Sequence, residues 1–263
     1  MADYVRAKSF ILAFQERDDW TVLNADDAHY EEMAAKCVGQ LLRFSLEKSV
    51  PRGAFLQGDR LLLRWDDREQ MICPVSEVKL RGRHNLANIL AASCCGAAGG
   101  VDVASMRQVA KTFTGVPHRL EEVRRWRGVL FVNDSIATTP ERAIAALRSF
   151  EEPQILLAGG RDKHLPWDRW ADLVLDRVKH VVAFGEARPI ICRALDEARQ
   201  RHVSNGEDTS VHVCDSLGEA VPLAAQLAEA GDVVLLSPGG TSFDAFEDFE
   251  ARGSAFRYLV ADL

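Results

Sequence analysis

Four segments in the second half of the chain combine residue types that could bind a small anion. They are residues 133–139 (NDSIATT), 159–164 (GGRDKH), 184–186 (FGE) and 237–243 (SPGGTSF). Glycines let a ligand approach the backbone, while hydroxyl, carboxylate or ammonium groups can fix its polar atoms. Simpler roles remain open, because Thr139 and Ser242 suit helix N-caps and Lys163 suits a solvated surface position.

Two familiar phosphate-binding motifs are missing from the sequence. Neither GxxxxGK[ST] nor GxGxxG occurs anywhere in the chain, so neither a phosphate loop nor a dinucleotide fingerprint is present. Periodicity and spacing alone therefore predict an α/β protein that binds a small anion.

The elements that must position these segments alternate regularly. Short apolar runs at 128–133, 154–158, 179–184, 210–214 and 232–236 predict strands, and helical periods follow, for example at 140–150, 222–230 and 243–261. This alternation is typical of a parallel sheet covered on both faces. The loops at the carboxyl ends of parallel strands share one edge with helix N-termini, which favour anions, so we expect the site there.

The first 115 residues follow a different pattern. We predict a helix at 3–16, a strand at 20–24, a hairpin at 53–65 around Gly58 and Asp59, and helices at 85–98 and 104–113. Glycine and proline interrupt both patterns at 114–117, which predicts domains of residues 1–115 and 116–263.

Composition excludes several classes of function. The 263 residues carry 32 Lys and Arg against 39 Asp and Glu, a net charge of −7, with no long basic run, so we expect no nucleic-acid partner. No stretch approaches the roughly 20 apolar residues of a membrane span, and the N-terminus lacks the apolar core of a signal peptide. The six cysteines form no CxxC pair, as expected of reduced thiols in a cytoplasmic protein.

Five motifs in a fixed order resemble the Mur ligase family. They are residues 82–92 (GRHNLANILAA), 115–121 (GVPHRLE), 133–138 (NDSIAT), 159–163 (GGRDK) and 236–244 (LSPGGTSFD), and 246–253 (FEDFEARG) extends the match. They are most similar to the members that add D-glutamate to UDP-N-acetylmuramoyl-L-alanine in peptidoglycan synthesis. The resemblance implies an α/β fold in which residues 1–115 form part of a central ATPase domain without its phosphate loop. Residues 116–263 then form a Rossmann-like, glutamate-binding C-terminal domain with a parallel sheet.

The resemblance also implies a reaction. Family members use ATP and Mg²⁺ to activate a carboxylate as an acyl phosphate, which the amine of the incoming amino acid attacks. We expect this chain to be an incomplete portion of such an enzyme, inactive alone, and the complete enzyme to be monomeric. Ligation of a different amino acid such as L-glutamate, or a non-catalytic nucleotide- or amino-acid-binding module, remains an alternative.

On the ATP side, the resemblance assigns roles to five residues. Lys8 matches a catalytic lysine modified by carbon dioxide, whose carbamate is a Mg²⁺ ligand. We expect Lys8 to be unmodified here, since the other magnesium ligands of the family fall outside the match. Asn85 and Asn88 match adenine contacts, and Arg119 and Asp134 match positions near the ribose and phosphates. The simpler roles are a surface lysine at position 8 and a helix cap at Asn85.

For the amino acid, the resemblance points to Thr138, Lys163, Ser242 and Phe249, the last through its backbone. Lysine and hydroxyl groups suit the two carboxylates of glutamate. The family motif commonly reads NDSK, whereas this chain has Ile136 in place of the lysine. Either Arg142 or Arg161 supplies the charge, or glutamate is held differently. We also expect residues 1–115 to be less stable than 117–263, because a partial central sheet exposes an edge and an apolar face.

Overall fold

The computed structural model describes residues 2–201 and 209–263. The chain divides into two compact units between Thr114 and Gly115, one residue before the predicted boundary. We call them the N-terminal unit and the C-terminal unit. In the described ranges, no helix is long and apolar enough to span a membrane.

The N-terminal unit is a five-stranded mixed sheet with helices. Its elements are α1 (Ala2–Ala13), β1 (Trp20–Asn24), α2 (Tyr30–Ala34), β2 (Gln40–Ser45), β3 (Gly53–Gln57), β4 (Arg60–Trp65), β5 (Arg68–Pro74), α3 (Arg83–Ala98) and α4 (Val103–Thr112). The strands lie in sequence order, with β1, β2 and β3 parallel and β3, β4 and β5 antiparallel. The predicted β3–β4 hairpin is confirmed, and its turn holds Gly58 at a φ of 61°.

One main core holds the N-terminal unit together. Leu42, Leu61 and Ile72 of the sheet pack with Leu90 of α3 and Met106 of α4. A much smaller cluster of four buried side chains, Ala25, Val50, Phe55 and Leu62, forms a separate core. Most of the burial in this unit is therefore concentrated between the sheet and α3 and α4.

The C-terminal unit is a six-stranded sheet with the order β10-β9-β8-β11-β7-β6. Its elements are β6 (Glu121–Trp126), β7 (Val129–Asn133), α5 (Pro140–Leu147), β8 (Gln154–Gly159), α6 (Asp168–Arg177), β9 (Val178–Phe184), α7 (Arg188–Arg201), β10 (Ser210–Val213), α8 (Leu217–Leu227), β11 (Val233–Gly239) and α9 (Phe249–Ala261). Strands β7 to β11 pair in parallel, as predicted. The antiparallel edge strand β6 was not predicted, because its sequence EEVRRW has no continuous apolar run.

Two large cores cover the two faces of this second sheet. On one face Leu156 and Val181 pack with Trp170 of α6 and Leu147 of α5. On the other face Phe131 and Leu157 pack with α8 and with Phe256 of α9. The strands are apolar on both sides because both sides are buried, which is the reason for their continuous hydrophobic runs.

Several predicted helix boundaries were wrong. The last helix begins at Phe249 rather than 243, because Ala245 and Phe246 donate to the carbonyl of Ser242 in a preceding turn and Asp248 forms the N-cap. The predicted helix 222–230 begins earlier, at Leu217, where Ser216 accepts a hydrogen bond from the backbone N–H of Glu219. The helices predicted at 140–150 and 3–16 end three residues early, at 147 and 13.

Candidate functional site

Two of the four candidate loops are bound to each other at the carboxyl edge of the second sheet. The backbones of Arg161 and Thr241 exchange two hydrogen bonds of 2.8 Å. Gly160 permits this approach, since it has a φ of 93° and a Cβ at its position would lie 2.1 Å from the Thr241 carbonyl oxygen. The loops after β8 and β11 therefore form one continuous rim.

Thr138 and Lys163 come together at this rim. The Lys163 ammonium donates to the Thr138 hydroxyl over 3.4 Å, although the two residues lie on different loops, after β7 and β8. Lys163 is exposed and Thr138 is half-buried. An exposed cation beside a hydroxyl can bind a carboxylate through a charge-assisted hydrogen bond.

Ser242 lies in the segment that connects β11 to α9, and Phe249 is the first residue of α9. Ser242 is buried and does not cap the helix, so the N-cap role left open for it was wrong. Thr139, by contrast, does cap α5 and accepts from the backbone N–H of Arg142. The carbonyl oxygen of Phe249 accepts a hydrogen bond of 2.8 Å from Ser135.

Asp134 is a buried carboxyl at the end of β7. It accepts hydrogen bonds from the backbone N–H of Leu120 over 3.2 Å and from the Ser237 hydroxyl over 3.0 Å. Burial raises the pKa of Asp134 to about 7, against smaller opposing effects of its hydrogen bonds and of Arg119 and Arg142. Burial therefore favours the protonated form of this carboxyl. Arg119 itself is exposed.

Arg252 is a structural organiser of the site that the sequence analysis missed. It is fully buried, and its guanidinium donates to the hydroxyl and carbonyl oxygens of Ser135 over 3.0 and 2.8 Å and to the Gly240 carbonyl over 3.1 Å. Burial lowers the pKa of Arg252 to about 10, which leaves it protonated at neutral pH. One cation thus fixes the loops after β7 and β11 against α9. The sequence indicates a buried role for Arg252 through its position on the apolar stripe of α9, between Phe249 and Phe256.

A second missed cluster surrounds Asn133. Its side-chain amide lies 3.0 Å from Nδ1 of His118 and donates to the Gly253 carbonyl over 3.1 Å. His118 packs directly on Gly253, where a Cβ would come within 2.2 Å of its ring. The motifs at 115–121, 133–138 and 246–253 therefore meet in one buried polar cluster.

The surroundings of Ile136 distinguish the two candidate replacement cations. Arg161 is held in a bidentate ion pair with Glu186, at 2.8 and 3.0 Å. Arg142 is exposed and donates from Nη1 to the carbonyl oxygen of Ile136 over 3.3 Å. Arg142 thus lies beside the position in question, while the charge of Arg161 is already matched by a carboxylate.

The N-terminal unit contains the remaining predicted site residues. Asn85 is buried near the start of α3 and donates to the Arg81 carbonyl over 2.7 Å, and its side-chain oxygen accepts from Asn88 over 3.3 Å. The N-cap of α3 is Gly82, so the simpler role of Asn85 as a cap was wrong. Lys8 is exposed on α1.

Magnesium has no ready-made site in the part of the chain that the structure describes. No group of three or more His, Cys, Asp or Glu side chains there could hold a metal ion. Lys8 as a carbamate would contribute one oxygen-donor group, fewer than the six oxygen ligands that Mg²⁺ requires. The described residues therefore do not fit a Mg²⁺ site by themselves.

Comparisons with known proteins give the class to which this fold and site belong. The profile of the Mur ligase middle domain matches residues 1–96, and that of the Mur ligase glutamate ligase domain matches residues 118–240. The chain belongs to the Mur ligase family.

Within the family, the sequence is similar to UDP-N-acetylmuramoylalanine–D-glutamate ligases. It is 39% identical over 264 residues to the Clostridium tetani enzyme, covering 100% of this chain and 56% of that protein. It is 41% identical over 260 residues to the Acetivibrio thermocellus enzyme, covering 99% of this chain and 55% of that protein. The chain thus spans little more than half the length of these relatives.

Solved structures show the same fold at lower sequence identity. A pseudomurein peptide ligase type C from Methanothermus fervidus gives a TM-score of 0.68 at 14% identity, covering 99% of this chain and 59% of that one. A UDP-N-acetylmuramoylalanyl-D-glutamyl-2,6-diaminopimelate–D-alanyl-D-alanyl ligase from Acinetobacter baumannii gives 0.65 at 18% identity, covering 98% and 54%.

Proposed function

We propose that this chain is the later part of an ATP-dependent ligase that adds D-glutamate to UDP-N-acetylmuramoyl-L-alanine in cytoplasmic peptidoglycan synthesis. The observation that carries the proposal is the Lys163–Thr138 pair, because it places an exposed cation and a hydroxyl together on the rim that the family's glutamate motifs form. Identity of 39% to D-glutamate ligases over the whole chain supports the choice of amino acid.

In this proposal the C-terminal unit binds and orients glutamate. Lys163 and Thr138 hold one carboxylate, and Ser242 and the backbone at Phe249 bound the other side of the pocket. Fixing one carboxylate while the pocket is bounded on its other side leaves the amine as the group presented to the activated acceptor. Such orientation lowers the entropy cost of bringing the two reactants together. Arg252 positions the loops without contacting glutamate.

Each unit, taken by itself, also carries residues that we assign to ATP. Asn88 and Asn85 present amide groups suited to the donor and acceptor edge of adenine. Arg119 offers an exposed cation for phosphate, and Asp134 offers a buried carboxyl for a ribose hydroxyl. ATP, when bound, supplies the phosphoryl group that activates the acceptor carboxylate.

Titration calorimetry with D-glutamate tests the glutamate pocket. We expect D-glutamate to bind the purified chain, and Lys163→Ala to weaken binding roughly tenfold or more, because a charge-assisted hydrogen bond is lost. Lys179→Ala is the matched control: this lysine pairs with Asp232 and Glu229, just before β11, at the opposite end of the sheet. Equal loss in both variants, or no binding at millimolar D-glutamate, contradicts the proposal.

We further propose that Arg142 supplies the cation that Ile136 removes. Its guanidinium already reaches the Ile136 carbonyl, whereas Arg161 is paired with Glu186. We expect Arg142→Ala to weaken glutamate binding about tenfold and Ile136→Lys to restore it in the double variant. Arg161→Ala should cost less. Failure of the lysine to rescue the Arg142 variant argues against the exchange of roles.

The same titration separates the alternatives. Because Ile136 removes a cation of the family motif beside the amino acid, L-glutamate is titrated in parallel. Tighter binding of L-glutamate transfers the proposal to that amino acid. Binding of ATP without either enantiomer favours a nucleotide-binding module instead.

A further inference from the structure

Two histidines face each other at the edge of the C-terminal sheet, in a place that the proposed ligase chemistry does not use. His180 lies on β9 and His212 on the edge strand β10, which pair in parallel. Nε2 of His212 is 3.4 Å from Nδ1 of His180, and the two ring planes are inclined at 56°. Both side chains are half-buried, so solvent reaches them.

The distance between the two nitrogens matches the distance between two ligand atoms on one metal ion. Zn²⁺ binds imidazole nitrogens at about 2.0–2.1 Å in tetrahedral geometry, which places two such nitrogens about 3.3–3.4 Å apart. An ordinary hydrogen bond to nitrogen is shorter, about 2.7–3.2 Å. The observed 3.4 Å is therefore a weak hydrogen bond but a suitable bite for a tetrahedral ion.

The local charge around the His180 ring also favours a cation. Two carboxylates, Asp232 and Glu229, lie close enough to act on this ring and outnumber the single ammonium of Lys179.

We propose that His180 and His212 form a binding site for a divalent transition ion of the zinc class, with water completing the coordination. No third His, Cys, Asp or Glu joins them within the described ranges, so the site has two protein ligands. Each histidine comes from a different strand, so a bound ion cross-links the short edge strand β10 to β9. Such an ion stabilises the folded C-terminal unit by binding it in preference to the unfolded chain.

Calorimetric titration with Zn²⁺ of chain stripped of metal tests the site. We expect micromolar binding, and roughly 100-fold weaker binding in His180→Gln or His212→Gln, because the second ligand of a pair binds intramolecularly. His164→Gln is the matched control, since that histidine is almost fully exposed on the loop after β8. Thermal melting should rise with Zn²⁺ in the unsubstituted chain and the control only.

A readout without any variant covers the case in which a substitution unfolds the sheet. Electron paramagnetic resonance of the chain with one equivalent of Cu²⁺ reports the number of coordinating nitrogens directly. Two imidazole nitrogens are expected. A spectrum with one or none, unchanged Zn²⁺ affinity in both glutamine variants, or no binding at micromolar Zn²⁺ overturns the proposal.

Discussion

The two units differ in how their sheets are covered. The C-terminal sheet is buried on both faces by two large cores, and its central strands β8 and β11 are apolar throughout. The N-terminal sheet has one main core under α3 and α4, with only four buried side chains in its other cluster. Buried apolar area is the dominant favourable term in folding, so the two units should differ in stability.

Exposed apolar side chains follow the same division. On α1, Phe10, Ile11 and Phe14 are exposed by 56%, 71% and 84%. The large exposed side chains of the C-terminal unit, such as Phe243 and Tyr258, lie instead on the rim of the candidate site and on the outer face of α9. The rim of the candidate glutamate site is thus supported by two buried cores, whereas the N-terminal unit exposes a group of large apolar side chains on α1.

The strongest test substitutes one fully buried leucine in each core. Leu42→Ala in β2 and Leu157→Ala in β8 should each cost about 3 kcal/mol, from lost transfer energy and the cavity left behind. In the N-terminal unit we expect this loss to unfold the unit without denaturant, whereas the C-terminal unit should remain folded.

Urea unfolding measures this difference with tryptophans that belong to one unit each. A variant that keeps only Trp20 and Trp65 reports on the N-terminal unit, and one that keeps only Trp126, Trp167 and Trp170 reports on the C-terminal unit. We expect two transitions in the unsubstituted chain, the N-terminal one at lower urea. A single transition with both probes coincident refutes the comparison.

Arg252→Ala tests whether the rigidity of the site depends on one buried cation. Its removal leaves the carbonyls of Ser135 and Gly240 without their donor, and we expect a loss of about 3 kcal/mol from the C-terminal transition alone. Arg257→Ala is the control, because Arg257 lies on the same helix as Arg252 but is partly exposed. Its guanidinium pairs with Glu121 of β6 at 2.5 Å, so we expect its loss to cost less. Equal losses would mean that the loops are held by other contacts.

The apolar strands of the C-terminal unit were predicted well from the sequence. Because both of their faces are buried, they are continuous hydrophobic runs that stand out from the helices and loops around them. It missed β6, since Glu121, Glu122, Arg124 and Arg125 make that strand read as a surface loop. The start of α9 was also missed. Phe243 continues the apolar pattern of the helix, but residues 242–246 form a separate turn in which Ala245 and Phe246 donate to the Ser242 carbonyl.

The sequence predicted which loops form the candidate site, but not which side chains pair with one another there. Parallel topology alone brings residues 138 and 163 to one edge. The pairing of Arg161 with Glu186, 25 residues away, depends on side-chain geometry that no local pattern encodes. The same holds for the approach of Arg142 to Ile136, on which our proposal of Arg142 as the replacement cation rests.

Asp134 gives the C-terminal unit a pH dependence of its own. Its carboxyl stays protonated in the folded unit up to about pH 7, but in the unfolded chain it ionises near the ordinary aspartate pKa of 3.8. Between these values the folded state binds the extra proton, so its contribution to the free energy of unfolding falls by about 1.4 kcal/mol per pH unit as pH rises. Below about pH 4 and above about pH 7 this contribution is constant.

Melting of Asp134→Asn and unsubstituted chain between pH 5 and pH 7 measures the effect. The variant should lose this slope in the C-terminal transition, and the N-terminal transition should be identical in both proteins. A slope retained by the variant would assign the pH dependence to other groups.

The reactivity of one buried cysteine in each unit compares how often the two units open. Burial raises the pKa of Cys94 in α3 to about 12, and it also raises that of Cys214 after β10. We expect Cys94 to be alkylated roughly tenfold faster, because opening of the N-terminal unit exposes it more often. Mass spectrometry of chain labelled with iodoacetamide measures both rates, with exposed Cys95 as the reference. Faster labelling of Cys214, which is 8% exposed against 0% for Cys94, would reverse the ranking.

The place of β11 in the sheet has a consequence for the order of folding. This strand is the last of the C-terminal unit in sequence, yet it lies between β8 and β7 and pairs with both. Until residues 233–239 leave the ribosome, no strand joins the two parts of the sheet. One part is the β6–β7 hairpin, and the other consists of β8, β9 and β10. The sheet therefore closes only when almost the whole unit has been synthesised, and this high contact order makes its closure slow.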